Sequence, residues 1–529
     1  MGPGPTGSGV RLTELLAALS LGTDLGMGHS MEHGLRQSFI ALRLAEFAGL
    51  DRPEREVVYY SSLLAWVGCH VDAYEQAKWF GDDQALKHEI RWIDGGRPVE
   101  SALFVVRRIG AGKPWPDRLR LAVGFLGEGH RAFEDILENH WRAAAGLMEH
   151  LGLAQPIRDS VAQTFERWDG KGVPFGAEAE HVLLPSRLVN LADVVEVFHE
   201  AGGVPAARAV AQARSGTQFD PALVHLFCAR ADDVFAELES VTSWDALMAT
   251  EPALDRELDD AELDVAIEAV ADFVDLKSPF TIGHSRAVAE LAAAATAEMG
   301  LPESDRMTVR RAGLVHDLGR LGVSNSIWDK QGQLTRAETE RVRLHPYLTE
   351  RMLASPTGLA ALGRLAGQHH ERLDGTGYPR GLFGEAITLL GRVLAAADMY
   401  QAKTEPRPHR APHSAAAVAD MLRSEVRAGR IDGRAADAVL RAAGHRVRGR
   451  RDWPAGLTSR EVDVLRLVAR GLSHQAIAER LVISRKTASN HVEHIYAKIG
   501  ASNRAMASLF AAQHGLMFDD AQEPPVVST

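Results

Sequence analysis

The stretch HHERLDGTGYP, from His369 to Pro379, places two adjacent imidazoles directly before a glycine-rich turn that ends in Tyr-Pro. A second version of the phrase, TFERWDGKGVP, runs from Thr164 to Pro174. The earlier version keeps the Glu, Arg, Asp, both glycines and the Pro, but it has neither histidine. The pair predicts an internal duplication in which one copy has kept the turn and lost the imidazoles.

The repeat extends well beyond this phrase. His33 and His284 each begin a helical pattern, and they lie 251 residues apart. Further along, His140 and His345 correspond at a spacing of 205 residues. The difference means that the first copy carries 46 additional residues, which fall between Gly68 and His140.

Seven positions carry the chemistry of the second copy. They are His284, His316, Asp317, His345, His369, His370 and Asp398. The first copy has, in the same order, His33, Ala65, Trp66, His140, Thr164, Phe165 and Asp193. Four of the seven polar groups are gone, and apolar residues replace three of them, as expected of a site that has been filled in. We therefore interpret the second copy (the working copy) as a metal centre and the first (the retired copy) as its inactive duplicate.

The residue types indicate which metals and which chemistry. Five histidines and two aspartates suit a divalent ion such as Fe, Mn or Zn, and the lack of thiolate ligands argues against a structural zinc site. Adjacent His316 and Asp317 allow one residue to ligate a single ion while the carboxylate bridges two. Two ions ~3.5–4 Å apart are a standard device for phosphate ester hydrolysis, so His316 and Asp317 are candidate catalytic residues.

Composition indicates a globular protein without membrane segments. Of the 529 residues, 46% are hydrophobic and 24% are charged, and no apolar run approaches the ~20 residues of a membrane helix. The N-terminal MGPGPTGSG lacks the pattern of a secretory signal, and two cysteines are too few for a disulfide framework. Leu, Ala, Glu and Arg dominate both copies at helical spacing, which predicts helices throughout. We expect a cytoplasmic chain with no membrane partner.

The working copy resembles a known family. The segments HSRAVAELAAAA, HDLGRLGV, HPYLTERML, HHERLDGTGYPRGL and AAADMYQAKTEPRP are similar to the HD-GYP family of HD-superfamily phosphodiesterases, over residues 262–445. The resemblance implies an all-helical domain, the seven residues above as ligands, two or three metals (commonly iron or manganese), and hydrolysis of cyclic di-GMP. Members with three metals carry a Glu one helical turn before the first His. Phe280 stands there, so we expect two ions, Fe or Mn, with Zn also compatible.

The same resemblance points to substrate contacts. The family usually has Lys after HDxG; here Arg320 occupies that position, can clamp a phosphate with two N–H groups, and is the third candidate catalytic residue beside His316 and Asp317. The family's RPYR phrase reads Arg-Pro-His-Arg from Arg407, so both arginines remain and the Tyr is replaced by His409. The candidate substrate-binding residues are Arg320, Gly375, Gly377, Tyr378, Arg407 and Arg410.

The C-terminal segment differs from the rest in charge and pattern. Residues 446–512 contain twelve Lys/Arg and five acidic residues, a net charge of +7, whereas the whole chain carries −11, which leaves −18 elsewhere. Thr458 and Glu461 form a capping-box pattern, and Ser473 and Ser484 are candidate N-caps of the next two helices. A basic module on an acidic body predicts that the C-terminus alone meets a polyanion.

This segment resembles the LuxR-type helix-turn-helix through REVDVL, GLSHQAIAERL, SRKTASNHV and AKIGASNR. Its third helix has an apolar stripe, formed by Ala488, Val492, Ile495 and Ile499, which leaves the opposite face for a major groove. The candidate DNA contacts are Arg485, Lys486, Thr487, Ser489, Asn490, Glu493, Lys498 and Arg504. Paired half-sites are usual for such modules, so we expect a homodimer on double-stranded DNA.

The predicted fold is all-α, with two tandem HD-type helical domains followed by a small LuxR-type helix-turn-helix bundle. Its parts are a disordered tail (1–10), a degenerate HD-GYP-like domain (11–255), the HD-GYP metal-dependent phosphohydrolase domain (262–445), a basic linker (446–456), the DNA-binding domain (457–519) and a second tail (520–529).

Two functions remain open at this point. In the first, the working copy hydrolyses a cyclic dinucleotide, cyclic di-GMP above all, while the C-terminus regulates transcription. In the second, the chain is a transcription factor whose metal domain senses a nucleotide without meaningful turnover. The complete set of seven ligands favours the first, whereas Phe280, Arg320 and His409 leave the second open.

Overall fold

The computed structural model describes residues 7–238, 256–354, 358–445, 453–514 and 516. The described chain is mostly helical, which confirms the all-α fold class. It divides into two compact units, residues 1–445 and 446–529. Among the described helices, none combines the length and the apolarity needed to cross a bilayer.

The retired copy is built from long helices around one core. The helix that starts at Arg52 begins with a capping box, in which the Asp51 and Glu54 carboxylates each accept a backbone N–H that the helix leaves unpaired. The helices outside the inserted residues are α1 (Leu12–Gly26), α2 (His33–Phe47), α3 (Arg52–Leu64), α8 (Gln155–Ala162), α9 (Leu184–Ala213) and α10 (Pro221–Leu238). The segment between Gly68 and His140 (the insertion), which is 46 residues longer than its counterpart, contributes α4 (Ala73–Phe80), α5 (Asp83–Ile90), α6 (Pro98–Arg108) and most of α7 (Trp115–His150).

The working copy repeats this pattern without the insertion. Its helices are α11 (Asp260–Asp275), α12 (His284–Glu298), α13 (Glu303–Val315), α14 (Asn325–Trp328), α15 (Arg336–Arg343), α16 (His345–Ala354), α17 (Ala360–Ala366), α18 (Leu389–Thr404), α19 (Ala415–Arg427) and α20 (Gly433–Ala442). A short 3-10 helix, Leu318–Gly322, joins α13 to α14. Alanine-rich α12 lies at the centre, packed against α13, α18 and α20, because its small side chains allow close approach on three sides.

The two copies pack against each other as one unit. Helix α1 lies on the 3-10 helix of the working copy, and a side chain at Gly22 would collide with Leu321. Strand β1 (Gly7–Arg11) pairs antiparallel with β2 (Glu257–Asp259), and these are the only strands among the described residues. The prediction of a disordered tail over residues 1–10 is therefore wrong for residues 7–10, because β2 supplies partners for their backbone groups.

The C-terminal unit is a small bundle of four helices: α21 (Ser459–Ala469), α22 (His474–Leu481), α23 (Arg485–Ile499) and α24 (Arg504–Gln513). The predicted capping box and both predicted N-caps are confirmed, with Ser473 accepting from Ala476 N and Ser484 from Thr487 N. Ala488, Val492 and Ile495 of the predicted stripe are buried in the core. The basic linker through residue 452 and the tail 520–529 lie outside the described residues. All predicted domain boundaries remain predictions.

Candidate metal centre and DNA-binding helix

The structure brings all seven predicted ligands of the working copy together. Each one comes from a helix end or from the face of α18 that points inward: His284 begins α12, His316 and Asp317 follow α13, His345 begins α16, His369 and His370 follow α17, and Asp398 lies in α18. Six are buried, and His370 is partly exposed. Residues far apart in the sequence therefore meet in one pocket of polar groups.

Asp317 lies at the centre of this cluster. Its Oδ1 is 3.4 Å from His345 Nε2 and 3.8 Å from His369 Nε2. Its Oδ2 is 3.6 Å from His284 Nε2 and 3.2 Å from His316 Nε2. One carboxylate oxygen thus faces each pair of imidazoles, which is the arrangement a carboxylate needs to bridge two ions.

Asp398 completes the cluster from the opposite side. Its Oδ1 lies 3.5 Å from His284 Nε2, and its Oδ2 lies 3.7 Å from His370 Nδ1. Three groups of three residues have ligand atoms within 4.8 Å of one another: His284, His316 and Asp398; His345, His369 and His370; and His316, Asp317 and His369. The first two groups share no residue and offer separate places for a cation, and the third, which contains Asp317, links them.

Backbone carbonyls fix the orientation of three imidazoles. The Nδ1 atoms of His316, His345 and His369 lie 2.6–2.7 Å from the carbonyl oxygen three residues earlier in the chain. A carbonyl only accepts, so each Nδ1 carries the proton and each Nε2 presents a lone pair. The buried Nε2 of His284 and His316 and the buried Oδ2 of Asp317 have no hydrogen-bond partner. Such orphaned groups are costly, and a bound cation would satisfy them, so the residues fit a metal centre.

The charge states of His345, His369 and Asp317 suit the same purpose. Burial lowers the pKa of His345 to about 4 and that of His369 to about 3, which keeps both imidazoles neutral and able to ligate. Burial opposes charge on Asp317, but Arg320 and His316 hold the pKa of that carboxyl well below its usual range. Burial also opposes charge on His284, but the Asp398 and Glu405 carboxylates raise its pKa to about 9.

Glu405 is a site residue that the sequence analysis missed. Its Oε2 lies 2.8 Å from His284 Nδ1, on the side of the ring away from the centre. A carboxylate there orients the imidazole and makes it a better ligand. Glu405 directly follows α18, seven residues after Asp398, and an acidic residue at that spacing was the signal that could have revealed it.

A cavity of about 710 Å³ opens beside the centre. Its lining contains six cations and two carboxylates: Lys277, Arg320, Lys330, Lys403, Arg407 and Arg410, and Asp275 and Asp329. Its size is that of a small-molecule site, and the excess of cations suits an anionic ligand. Three of the predicted substrate-binding residues, all arginines, are in this lining.

The three arginines are held differently. Arg320 Nε lies 3.0 Å from Asp317 Oδ2, and the guanidinium sits 4.6 Å over the ring of Trp328. Arg407 donates to the carbonyl of Phe280 at 2.7 Å, and Arg410 donates to several backbone carbonyls. Of the three arginines, Arg320 thus lies against the predicted metal centre, whereas the side chains of Arg407 and Arg410 are hydrogen-bonded to the backbone of the cavity wall.

The glycine-rich turn plays a different part from the one predicted. Gly375, Gly377 and Tyr378 are not in the described lining of the cavity. Gly375 has φ of +76°, and a side chain at Gly377 would collide with the backbone of residues 371–372. Tyr378 packs against the ring of His370, with centroids 4.7 Å apart. The turn positions His370, a predicted ligand, and its assignment to substrate binding remains a prediction without a contact to support it.

Buried Glu371 holds this turn together. Its carboxylate accepts from Arg380 N at 2.9 Å and from Leu382 N at 2.8 Å. In the retired copy, Glu166 accepts from Phe175 N at 2.7 Å and from Ala177 N at 3.0 Å. The residues shared by the two phrases are therefore those that build the turn, and those that differ are the ones that would bind metal.

The first half of the retired site is filled with side chains. Trp66 and Phe165 stand edge to face with ring centroids 5.3 Å apart, and Phe165 also packs on His140. His140 turns its Nδ1 to Asp72 Oδ2, 3.1 Å away. A void of about 20 Å³ is left in this place, too small for a hydrated ion.

The second half keeps its polar groups and gains an arginine. His33 Nε2 lies 3.0 Å from Asp193 Oδ1, and its Nδ1 lies 2.5 Å from Glu196 Oε2. Arg91, from the inserted residues, reaches within 3.3 Å of His33 Nε2. A guanidinium thus supplies positive charge beside the His and Asp that correspond to His284 and Asp398. The sequence analysis missed Arg91, because the insertion has no counterpart in the working copy.

Helix α23 presents the predicted DNA contacts on its outer face. Arg485, Lys486, Thr487, Asn490 and Glu493 are exposed, and Ser489 is half-buried. Two of the predicted contacts are engaged within the bundle. Lys498 donates to Glu461 at 2.8 Å, and Arg504 donates to the carbonyls of Gly471 and Leu472 at 3.0 and 2.6 Å.

Comparison with known proteins agrees with both sites. Residues 268–435 match the HD domain, and residues 455–511 match the bacterial regulatory proteins of the luxR family. A 3′3′-cGAMP-specific phosphodiesterase of Vibrio cholerae is 32% identical over 404 residues, which cover 76% of this chain and 88% of that protein. A cyclic di-GMP phosphodiesterase of Pseudomonas aeruginosa is 31% identical over 281 residues, which cover 52% and 64%. The crystal structure of a cyclic GMP-AMP specific phosphodiesterase of V. cholerae superposes with a TM-score of 0.57 at 26% identity, over 82% of this chain and 98% of that one.

Proposed function

Because the chain belongs to the HD-GYP family of metal-dependent phosphodiesterases and carries a luxR-type regulatory domain, we propose that it hydrolyses a cyclic dinucleotide and binds DNA to regulate transcription. The observation that carries this proposal is Asp317, whose two oxygens face separate histidine pairs beside a cationic cavity. Cyclic di-GMP is the first substrate to test and 3′3′-cGAMP the second, since relatives are named for each.

We assign two divalent ions, iron or manganese before zinc, to the seven ligands of the working copy. When bound, they supply an activated water and neutralise charge on the phosphoryl oxygens. The imidazoles of His345 and His369, which burial keeps neutral, would present their Nε2 lone pairs, and Asp317 would offer one oxygen to each group. Arg320, held against Trp328, donates N–H groups to the phosphate and is ready to stabilise charge that develops there.

Metal content and turnover of the purified chain test the proposal. We expect two ions per chain by elemental analysis, and conversion of cyclic di-GMP or 3′3′-cGAMP to a linear dinucleotide that stops when a chelator removes the ions. A chain that holds two ions and converts neither nucleotide would contradict the proposal.

A sensor without turnover is the second candidate. Phe280 occupies the position at which some family members have an additional metal ligand. Arg407 donates N–H groups to the Phe280 carbonyl and to Glu405, so these groups are not free to bind a phosphate. A site that lacks this ligand and has one arginine already hydrogen-bonded within the protein can bind a nucleotide without stabilising the transition state of hydrolysis. Tight binding of an unconverted nucleotide to the metal-loaded chain would favour this candidate.

For the DNA-binding unit, we infer that α23 enters the major groove. Arg485 and Lys486 are placed for phosphates, Asn490 for adenine and Glu493 for cytosine. Binding to DNA places this unit in the compartment that holds the chromosome. We expect Lys486→Ala to weaken binding to all sequences and to reduce the salt dependence by about one ion. Lys498→Ala is the matched control, since Lys498 is tied to Glu461.

We also infer a homodimer, because helix-turn-helix proteins read two half-sites with two copies. Among the described residues, eight of the twenty exposed large apolar side chains lie within residues 90–123 of the insertion, with Val99, Val106 and Trp115 more than 70% exposed. Such a patch is typical of an interface. We expect Val106→Asp to give monomers in sedimentation equilibrium, whereas Val265→Asp, at an exposed position of α11, should not. Dimeric Val106→Asp protein would exclude this surface.

A further inference from the structure

Asp83 begins α5 in the insertion of the retired copy, yet its hydrogen bonds go to the working copy. It is fully buried. Its Oδ1 accepts from the Ser324 hydroxyl at 2.6 Å and from Asn325 N at 2.8 Å. Ser324 and Asn325 begin α14, so a carboxylate of one copy fixes the start of a helix in the other.

Helix α14 forms a wall of the substrate cavity. Asn325 Nδ2 donates to the carbonyl of Lys277 at 2.6 Å and to Asp329 Oδ2 at 2.8 Å, and Asp329 Oδ1 accepts from the Ser278 hydroxyl at 2.7 Å. All four residues line the cavity. The hydrogen bonds of Asp83 therefore set the position of a continuous stretch of this wall.

The same short helix reaches the reacting centre. It ends at Trp328, whose ring carries the guanidinium of Arg320, and Arg320 Nε is 3.0 Å from Asp317. Three contacts thus connect Asp83 to the bridging carboxylate: Asp83 to α14, α14 to Arg320, and Arg320 to Asp317. A shift of α14 would move the cation that faces the phosphate.

Two buried lysines make the carboxylate difficult to replace. The Nζ atoms of Lys87 and Lys277 lie 3.6 and 3.9 Å from Asp83 Oδ2. Both ammonium groups are buried and have no hydrogen-bond partner in the described chain. Asp83 is the counter-charge for both, and loss of one partner of a buried ion pair is costly.

We propose that Asp83 is a positioning residue for the phosphodiesterase site, through which the retired copy holds the cavity wall and Arg320 of the working copy in place. The inference rests on the proposed function. It gives a physical reason for the retention of a copy that has lost its own centre. The sequence offers no sign of it, since Asp83 lies in the segment where the two copies differ in length and no counterpart is assigned to it.

The test compares three variants of the full chain. Asp83→Ala removes the acceptor, and we expect kcat/KM for cyclic di-GMP and 3′3′-cGAMP to fall at least ~10-fold, mainly through KM, with metal content unchanged. Asp83→Asn keeps an oxygen for Ser324 and Asn325 but removes the negative charge, so it is combined with Lys87→Met to keep the local net charge, and we expect this pair to recover activity to within about 3-fold of wild type. Asp82→Ala is the matched control: Asp82 caps α5 by accepting from Gln84 N and Ala85 N and accepts no hydrogen bond from the described residues of the working copy, so its kcat/KM should equal that of wild type.

If Asp83→Ala does not fold, the charge-balanced Asp83→Ala/Lys87→Met variant takes its place. Wild-type kcat/KM in the folded Ala variant, or an equal loss in Asp82→Ala, would overturn the inference. If the wild type binds both nucleotides without converting them, the proposed hydrolysis fails, and the inference is then judged by the same ~10-fold ranking in nucleotide Kd. A wild type that neither binds nor converts either nucleotide overturns both.

Discussion

The two copies keep the same turn and differ in what the turn holds. In the working copy, Glu371 braces a loop that packs Tyr378 against His370, and His370 faces Asp398. In the retired copy, Glu166 braces the same loop, and the position of His370 belongs to Phe165, which packs on Trp66. The comparison separates residues that build the fold from residues that bind metal, because only the first group is common to both copies.

The retired copy has lost its centre in two different ways. Aromatic rings fill the half around Phe165, where imidazoles and a carboxylate stood, so burial no longer requires a cation. The half around His33 kept Asp193, and there Arg91 supplies the charge. A duplicated metal site can thus become inert by packing or by an internal cation, and this chain uses both.

The largest effect should come from the position that both copies share. Asp398→Asn weakens a carboxylate that faces both groups of imidazoles, and we expect turnover to fall at least ~10³-fold, with loss of metal, because several kcal/mol of transition-state stabilisation depend on the ions. Asp193→Asn, the same change in the retired copy, should leave turnover within about 3-fold of wild type. Rates and elemental analysis on the two full-length variants measure the difference.

Equal loss in the two variants would mean that the retired copy takes part in the chemistry. Metal retained by Asp398→Asn at the wild-type level would instead place an ion outside the seven ligands. Both outcomes would break the distinction between the copies.

A smaller effect is expected at the carboxylates that brace the turns. Gln at position 371 or 166 puts an NH₂ group against a backbone N–H, so each change should cost about 1–3 kcal/mol of stability. Only Glu371→Gln also moves His370, and we expect its turnover to drop ~10–100-fold, whereas Glu166→Gln should stay near wild type. Thermal unfolding and kcat measured on the same preparations would show whether stability and activity separate. A Glu166→Gln enzyme as slow as Glu371→Gln would show that they do not.

Most of the fold followed from the sequence because it rests on local signals. The capping box of Thr458 and Glu461 and the stripe through Val492 and Ile495 are confirmed, since helix starts and buried faces depend on neighbours in the chain. The seven residues that the structure brings together were also predicted from the sequence. The retired copy made this possible, because each position of the working copy could be compared with its counterpart there. The tail was wrong at residues 7–10, where strand pairing depends on residues about 250 positions away.

The contacts that were missed are those without a repeat partner or a local pattern. Arg91 and Asp83 lie in the insertion, so no second copy marks them as unusual. Lys498 and Arg504 looked like phosphate contacts by charge, but their long side chains reach Glu461 and the carbonyl of Leu472. Charge and spacing predict the helix face from which a side chain projects, whereas the group that it contacts depends on how the helices pack.

The smallest expected effect is a pH dependence confined to the retired site. Burial opposes charge on His33, but Glu196 and Asp193 raise its pKa to about 9, above the ordinary 6.5. Burial likewise opposes charge on Glu196, but His33 lowers that pKa to about 2. The stability from His33 is fully present below pH 6.5 and is lost as pH rises through 9. That from Glu196 is present above pH 4.5 and is lost as pH falls through 2.

The ion pair should therefore contribute most between about pH 4.5 and 6.5. We expect His33→Gln to lower the unfolding free energy by about 1–3 kcal/mol at pH 6, and by clearly less at pH 9.5, where wild-type His33 has lost its proton. Thermal unfolding of wild type and His33→Gln at the two pH values measures the difference in unfolding free energy between the two proteins. The working copy gives the contrast, because metal bound to His284 would exclude the proton and remove this pH dependence. A gap of equal size at pH 6 and pH 9.5 would mean that His33 is held as a neutral ring, and that Arg91 alone balances Asp193 and Glu196.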